Sequence, residues 1–298
     1  MAGESRPGST ETAAAGQVQS MIDLATPDGL PYRLRRGRHG WFLYNANDVF
    51  VGRSLDAYGE YSPQERDCLL RLTPPGGVVV DAGANIGALT IPLARHVGDH
   101  GFVHAFEPER LLHQLLATNV ALNALLNVSA VRAGLGAVAE RGLLSVADHR
   151  RRADYGHTQL RKQGSGVPVD IRTIDSLDLA QCHLIKIDVE GMEREVLEGA
   201  TSTIERCKPV LYLDSNPGPN LSPMITRLLA FGYKLWWHPA PLFREDNYLK
   251  NPTDVFGGFG SLNILGMPRS SSTQVVGLVE ISGPDAPLPP GVTGSLQD

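Results

Sequence analysis

The sequence predicts an α/β fold: a mostly parallel sheet covered by helices on both faces. Three observations carry the prediction. From about residue 77 onward, short runs rich in β-branched residues alternate with stretches of helical periodicity. The connections between them are mostly short, as expected where parallel strands are joined by crossover helices. Three of the runs end in an acid, at Asp81, Glu107 and Asp188, and the carboxyl ends of such strands are where open α/β sheets bind ligands.

The elements follow in order. Residues 31–36, 40–44 and 48–52 read as small strands ahead of the main fold. Ser62-Pro63-Gln64-Glu65 has the form of a capping box with proline at the first helical position, starting a helix that reaches about Leu72. A strand at 77–81 precedes a helix from about 86 to 97, and a strand at 102–106 precedes a helix from about 109 to 124. Leu111, Leu112, Leu115, Leu116 and Val120 keep the helical period there. A third strand comes at 128–133. Strand 183–188, a helix near 191–206, strand 209–214 and a helix near 222–231 follow, the last opened by Ser222-Pro223. Tyr233–Trp237 and Gly260–Leu265 have no helical pattern between them, so an antiparallel pair is expected at one edge.

Composition narrows the function. The chain has 298 residues, 42% of them hydrophobic and 20% charged, and a net charge of −5. It can bury a sizeable core, and its mildly acidic balance argues against nucleic acid as the partner. No apolar run approaches the length of a membrane span, and the first twenty residues lack the apolar region of a signal peptide, so a cytoplasmic protein is expected. Cys68, Cys182 and Cys207 have neither metal-ligand nor redox spacing.

The stretch Val78-Val-Val-Asp81-Ala-Gly83-Ala-Asn85-Ile-Gly87-Ala-Leu-Thr90 reads as strand, turn and helix start. A dinucleotide fingerprint needs a middle glycine so that backbone approaches a pyrophosphate, and Asn85 stands in its place. The turn suits a ligand with a smaller anionic group beside a cation, as in S-adenosylmethionine: amides at the helix start would favour its carboxylate and Asp81 its positive charges. An ordinary tight turn would use the same residues. Glu107, at the end of the second strand and followed by Pro108, is placed to bond ribose hydroxyls, as an acid there does for several cofactors. Ile185-Lys-Ile-Asp188-Val-Glu190-Gly-Met-Glu193 delivers two carboxylates to another strand end. Asp188 and Glu190 are the candidate catalytic residues, as base or substrate clamp; the alternative is helix-start acids favoured by the macrodipole. Glu60, just before the first long helix, is placed to meet a cofactor's ammonium, unless Tyr61 simply staples the helix start.

Together, D-A-G-A-N-I-G-x-x-T, A-F-E-P and I-K-I-D-V-E-G-M-E resemble the FkbM family of S-adenosylmethionine-dependent methyltransferases. The resemblance covers roughly residues 30–267, including Tyr58-Gly59-Glu60-Tyr61 and Thr173-Ile174-Asp175-Ser176-Leu177. It implies a class I methyltransferase (Rossmann-like) fold, hydroxyl acceptors on natural products or glycans, and S-adenosylhomocysteine as product. It maps Asp81, Gly83, Asn85, Gly87 and Glu107 onto cofactor-binding positions. The expected organisation is a disordered tail over 1–20, a β extension over 21–61, the methyltransferase domain over 62–267 and a flexible tail over 268–298. Val275–Ile281 is the one apolar patch of that tail, able to dock as a short strand.

Two insertions and one metal reading remain open. Residues 140–172 carry His149, Arg150, Arg151, Arg152, Arg161 and Lys162, either a clamp for an anionic acceptor or a solvated loop. Residues 238–259, with His238, Phe243, Arg244, Asn247, Tyr248 and Asn251, suit an acceptor pocket and lid hinged at Gly257 and Gly258. His238 is an alternative base. Asp188, Asp214 and Asn216 on neighbouring strand ends would suit Mg²⁺, although an Asx turn before Pro217 explains the last two without a metal. The competing functions are an NAD-dependent sugar-nucleotide oxidoreductase or epimerase, and a fold that binds the cofactor without chemistry.

Overall fold

A computed structural model describes residues 21–25, 29–158, 160–161, 164–215 and 218–289. The expected tail over 1–20, Lys162, Asn216 and Pro217 lie outside the described residues. The chain opens with β1 (Met21–Ala25), β2 (Pro31–Gly37) and β3 (Gly40–Asn45), an antiparallel sheet in the order β1-β2-β3. It continues through α1 (Val51–Tyr58), α2 (Pro63–Leu72), β4 (Val78–Ala82), α3 (Thr90–Val97), β5 (Phe102–Phe106), α4 (Arg110–Leu122) and β6 (Val128–Val131). A small sheet of order β7-β10-β8-β9 follows, built from β7 (Gly134–Leu135), β8 (Glu140–Leu144), β9 (Leu160–Arg161) and β10 (Val167–Arg172). The remaining elements are β11 (Leu184–Ile187), α5 (Glu193–Glu198), α6 (Thr201–Cys207), β12 (Val210–Asp214), α7 (Leu221–Ala230), β13 (Tyr233–Pro241), β14 (Gly260–Pro268) and β15 (Val279–Ile281).

The main sheet has the order β15-β13-β14-β12-β11-β4-β5-β6. Strands β6, β5, β4, β11 and β12 pair in parallel. The expected antiparallel pair is present: β14 runs against both β12 and β13 and so lies between them. This is the class I methyltransferase arrangement that the motifs imply. The chain leaves β4 toward β5 and later returns to β11 on β4's other side, so the order reverses between β4 and β11. A reversal of this kind opens a crevice at the carboxyl edge.

Both faces are buried. Leu69, Leu93 and Leu116 from α2, α3 and α4 pack over Val79, Val103 and Tyr212. Val196, Ile204, Ile225 and Leu228 from α5, α6 and α7 pack over Ile185, Leu211 and Leu213. Burial of such side chains contributes about 1.5–3 kcal/mol each.

Four local expectations are corrected. Residues 48–52 are not a strand. The Asp48 carboxylate accepts the amides of Phe50 and Val51 at 2.9 and 3.1 Å and starts α1, which buries Val51, Leu55 and Tyr58 on one face. The capping box does not form at α2: Ser62 is left-handed (φ 37°) and makes no side-chain cap. The helix expected over 191–206 is two helices, because a Cβ at Gly199 would lie 2.0 Å from the Gly136 carbonyl oxygen and the chain must bend past it. The segment after Pro268 is held well beyond that residue: β15 pairs with Leu235–Trp237, and the Trp237 indole donates to the Pro287 carbonyl at 3.0 Å. Among the described residues no helix is long and apolar enough to cross a membrane.

Candidate active site

The turn after β4 is built to hold itself. Gly83 (φ +76°) passes so close to β11 that a Cβ would sit 1.7 Å from the Asp188 carbonyl oxygen. Gly87 (φ +88°) leaves room for Leu116, whose Cδ1 would be 2.9 Å from a Cβ. Asn85 takes the left-handed conformation (φ 51°) in place of the middle glycine, and its side chain accepts the Ile86 amide at 2.7 Å. Glu107, 4% exposed, accepts the Asn85 amide at 2.9 Å on one oxygen and the Glu109 amide at 2.8 Å on the other. Burial pushes its carboxyl up to about 8 against the pull of these two donors. The expectation that the turn's amides receive an anion is corrected. Gly83 and Ala84 donate to the Phe106 carbonyl, Asn85 to Glu107, Ile86 to Asn85 and Gly87 to the Ala84 carbonyl.

Asp81 also differs from its expected role. It is fully enclosed, with one oxygen accepting the Thr90 hydroxyl at 2.6 Å and the other 3.1 Å from Lys186 Nζ. It therefore fixes the turn and the lysine from behind and is not presented to a ligand. Lys186 has no role among the sequence expectations, yet it ties the crevice together. Its ammonium donates to the Gly83 carbonyl at 3.0 Å and lies 3.5 Å from Asp188. Burial opposes its charge, but Asp81, Asp188 and Glu65 outweigh burial and hold its pKa above the ordinary value.

Asp188 and Glu190 reach the carboxyl edge, as expected. The Asp188 side chain is 42% exposed beside Lys186. Glu190 is left-handed (φ 49°) and lies 2.9 Å from His157 Nδ1. Burial, then the charges of Asp188, Asp154 and Glu193, push Glu190 up to about 8. Neighbouring acids behave alike. Burial raises Glu65 to about 7. Asp154 is raised by burial, and Asp214 by burial and by Asp188 and Glu190. The edge thus gathers carboxylates around one buried lysine. Among the described residues no three His, Cys, Asp or Glu side chains form a metal-binding group.

Beside the turn lies a narrow apolar cleft of about 30 Å³, lined by Pro108, Leu135, Leu144, Thr158, Leu160 and Met192 among others. The inserted sheet supplies one wall. A strap over 153–158 crosses above the turn: Ala153 bridges Asp48, Gly156 packs against Asn85, and His157 meets Glu190.

Glu60 is corrected outright. Its carboxylate is paired with Arg38 at 2.8 Å, bonded to Arg66, and accepts the Tyr248 amide at 2.9 Å. Burial alone would raise its pKa, but the two arginines reverse this and hold it below the usual range. It is an ion-pair hub with no lone pair to spare for a cofactor ammonium. The basic run also divides. His149 is buried near Glu109, whereas Arg150, Arg151 and Arg152 face solvent and Arg151 pairs with Asp148 at 3.6 Å. The 238–259 segment is docked rather than loose. Its Leu249 amide donates to the Tyr58 carbonyl, Arg244 pairs with Asp67 at 2.6 Å, and Phe243 and Phe256 pack on Tyr58. His238 lies 2.7 Å from the Tyr212 hydroxyl through Nδ1.

Comparison with known proteins finds relatives of one kind. A family model described as the methyltransferase FkbM domain matches residues 81–235, just over half of the chain. Methyltransferase sdnD of Sordaria araneosa is 31% identical, with 42% of this chain aligned to 61% of that protein. Methyltransferase 1 of Beauveria bassiana (strain ARSEF 2860) is 27% identical, with 42% of this chain aligned to 59% of that protein. The chain spans about six-tenths of the length of these curated relatives. A crystal structure of methyltransferase FkbM from Methylobacillus flagellatus KT aligns with a TM-score of 0.40 at 18% identity, covering 63% of this chain and 43% of that one.

Proposed function

The chain belongs to the FkbM methyltransferase family, and on that premise we propose that it transfers a methyl group from S-adenosylmethionine to a hydroxyl oxygen of a small natural product or sugar. The observation that carries this reading is the charge surplus at the carboxyl edge. Asp81, Asp188 and Glu65 act on Lys186; Glu190, Asp154 and Asp214 lie within reach of the Asp188 charge, and Glu65, Glu190, Asp154 and Asp214 are each pushed up by burial and by neighbouring acids. A ligand carrying both an ammonium and a sulfonium relieves that repulsion. The apolar cleft at Pro108, Leu135 and Leu160 offers an adenine apolar walls once it widens to admit the ring, and the remaining lone pairs of Glu107 suit ribose hydroxyls. S-adenosylmethionine supplies an electrophilic methyl carbon whose departure leaves the neutral thioether S-adenosylhomocysteine. The protein's share is to bind the acceptor in line and keep water away.

Asp188 acts as a clamp in this reading. It lies 3.5 Å from the Lys186 ammonium and its side chain is 42% exposed at the crevice, so it can meet an acceptor while the lysine holds it in place. Glu190, with a pKa near 8, is largely neutral at pH 7 and bonds the strap through His157. A dinucleotide reading is less well supported, because the turn's amides are already paired among themselves and Asn85 replaces the middle glycine. Three cysteines free of disulfides suit a reducing, cytoplasmic setting.

Calorimetry decides between donors. S-adenosylmethionine is expected to bind and NAD not to bind; the reverse would overturn the reading. Asp188→Asn is expected to lower methyl transfer more than donor affinity, by about tenfold or more, whereas equal losses would make Asp188 a cofactor residue only.

A further inference from the structure

We propose that the tip of the strap, residues 156–158, is a gate over the cleft beside the glycine turn, and that the contact between His157 and Glu190 is the latch that methyl-donor entry must break. The identity of what enters rests on the methyl-transfer reading above; the latch itself can be tested without that ligand.

The cleft is shut. It holds about 30 Å³, room for about two waters, whereas pockets that take a small molecule run to about 300–1,000 Å³. An adenine therefore needs one wall to withdraw, and the walls differ in freedom. Gly83, Phe106 and Val189 sit at strand ends. The sheet fixes them there: the Gly83 amide donates to the Phe106 carbonyl at 3.0 Å, and the Asp188 amide to the Ala82 carbonyl at 3.1 Å. Thr158 lines the same cleft from the strap.

The strap has a fastened part and a free part. The Ala153 amide donates to the Asn47 carbonyl at 3.2 Å, and the Ala153 carbonyl accepts the Val49 amide. Tyr155 is buried, its hydroxyl 2.6 Å from the Arg151 carbonyl and its ring 4.2 Å from that of His149. Beyond Tyr155 the hydrogen bonds turn inward. The Gly156 amide donates to the Asp154 carboxylate at 2.9 Å, and the Thr158 amide to the Gly156 carbonyl at 2.8 Å. Among the described residues, the polar contact that ties this tip to the rest of the molecule is His157 Nδ1 with Glu190, at 2.9 Å. Glu190 belongs to the turn after β11, whose Val189 and Met192 also line the cleft. Its backbone is left-handed (φ 49°), at a cost to a non-glycine residue, with the side chain turned to the strap.

A ring entering between Thr158 and Val189 spreads the two sides that this contact joins. Donor and latch therefore compete. With the latch closed, the cleft is shut and Glu190 is occupied by His157. With the donor seated, the tip is lifted and the Glu190 carboxyl is free to face the donor's cations. Glu190 thus becomes available to the site when there is a methyl group to transfer.

Surface plasmon resonance on immobilised full-length protein reads the gate. The His157 side chain is 58% exposed, so its removal leaves the core intact. In His157→Ala, S-adenosylmethionine is expected to associate about fivefold faster and Kd to fall by about the same factor, the worth of one ordinary hydrogen bond. Unchanged or slower association, or weaker affinity, would overturn the gate, because the tip would then hold the donor rather than exclude it. His157→Gln keeps a hydrogen-bond donor for Glu190 and is expected to stay within about twofold of wild type; association as fast as in His157→Ala would overturn the assignment of the latch to this bond. Hydrogen exchange on the donor-free protein gives a ligand-independent check. The Gly156 and Thr158 amides are expected to exchange about fivefold faster in His157→Ala, with the Ala153 amide unchanged. Equal exchange at the tip in both proteins would overturn the latch. Failure of wild type and variants alike to bind S-adenosylmethionine would instead sink the methyl-transfer reading, which the exchange measurement does not use.

Discussion

Glu60 on one side, and Glu190 and Asp214 beyond β11 and β12 on the other, lie in two acid-bearing regions, and their pKa values move in opposite directions. Around Glu60, Arg38, Arg66 and Arg244 exceed the acid, so its charge is stabilised and the region is closed upon itself. Around Lys186 the acids exceed the cation, and Glu65, Glu190 and Asp214 are raised. Buried ions are tolerated when paired and costly when in surplus. A region in balance holds segments together; a region with a standing surplus is suited to receiving charge from outside. The sign of the shift, more than the presence of an acid, separates a fastening from a site.

The contrast can be broken most forcefully at Lys186. Lys186→Met leaves Asp81 buried opposite no cation, and denaturant unfolding is expected to show a loss of about 3–5 kcal/mol. A loss under about 1 kcal/mol would mean that the lysine is not what holds the edge. Glu60→Gln tests the other region. It is expected to cost about 1.5–3 kcal/mol through its charged hydrogen bonds, while donor affinity by calorimetry stays within about twofold. A large drop in affinity would place the hub inside the site after all.

A pH series sharpens the comparison further. The raised acids hold protons more tightly in the folded chain than in the unfolded one. The stability they contribute is present below about pH 4.5 and is lost as pH climbs through the folded values near 7 and 8. Thermal midpoints of the free protein are therefore expected to fall across that window. A bound cation favours the ionised carboxylates, so S-adenosylmethionine binding should release protons between about pH 6 and 8, visible as a buffer-dependent enthalpy. Proton uptake instead would contradict the surplus. The smallest effect is expected at Arg151→Ala. Its exposed pair with Asp148 is worth about 0–1 kcal/mol, and added phosphate should bind wild type and variant alike in calorimetry.

Much of the fold was legible because it is written locally. The runs at 77–81, 102–106 and 183–188 are apolar and β-branched, and they became β4, β5 and β11. Gly83 and Gly87 leave no room for a Cβ for reasons the motif only hints at, since their obstacles, Asp188 and Leu116, are distant in sequence. The role of Glu60 is not legible in the sequence because its partners Arg38 and Arg244 come from elsewhere in the chain, and no spacing rule links them. Residues 48–52 looked like a strand because Val49, Phe50 and Val51 favour one; the two amide bonds to Asp48 override that preference. Lys186 was printed in the motif itself, between two isoleucines. A lysine on an otherwise apolar strand was the available signal of a buried pairing. Tyr212 and His238 meet across strands joined by a long excursion, which periodicity cannot foresee.

The strap at 153–158 is moored to the leading part of the chain: Ala153 pairs with Asp48, and the Val49 amide donates to the Ala153 carbonyl at 3.1 Å. Ahead of the first core strand, then, the chain is no mere appendage. Cut back to its α/β centre, the protein would keep its glycine turn yet lose the anchorage for the roof over it.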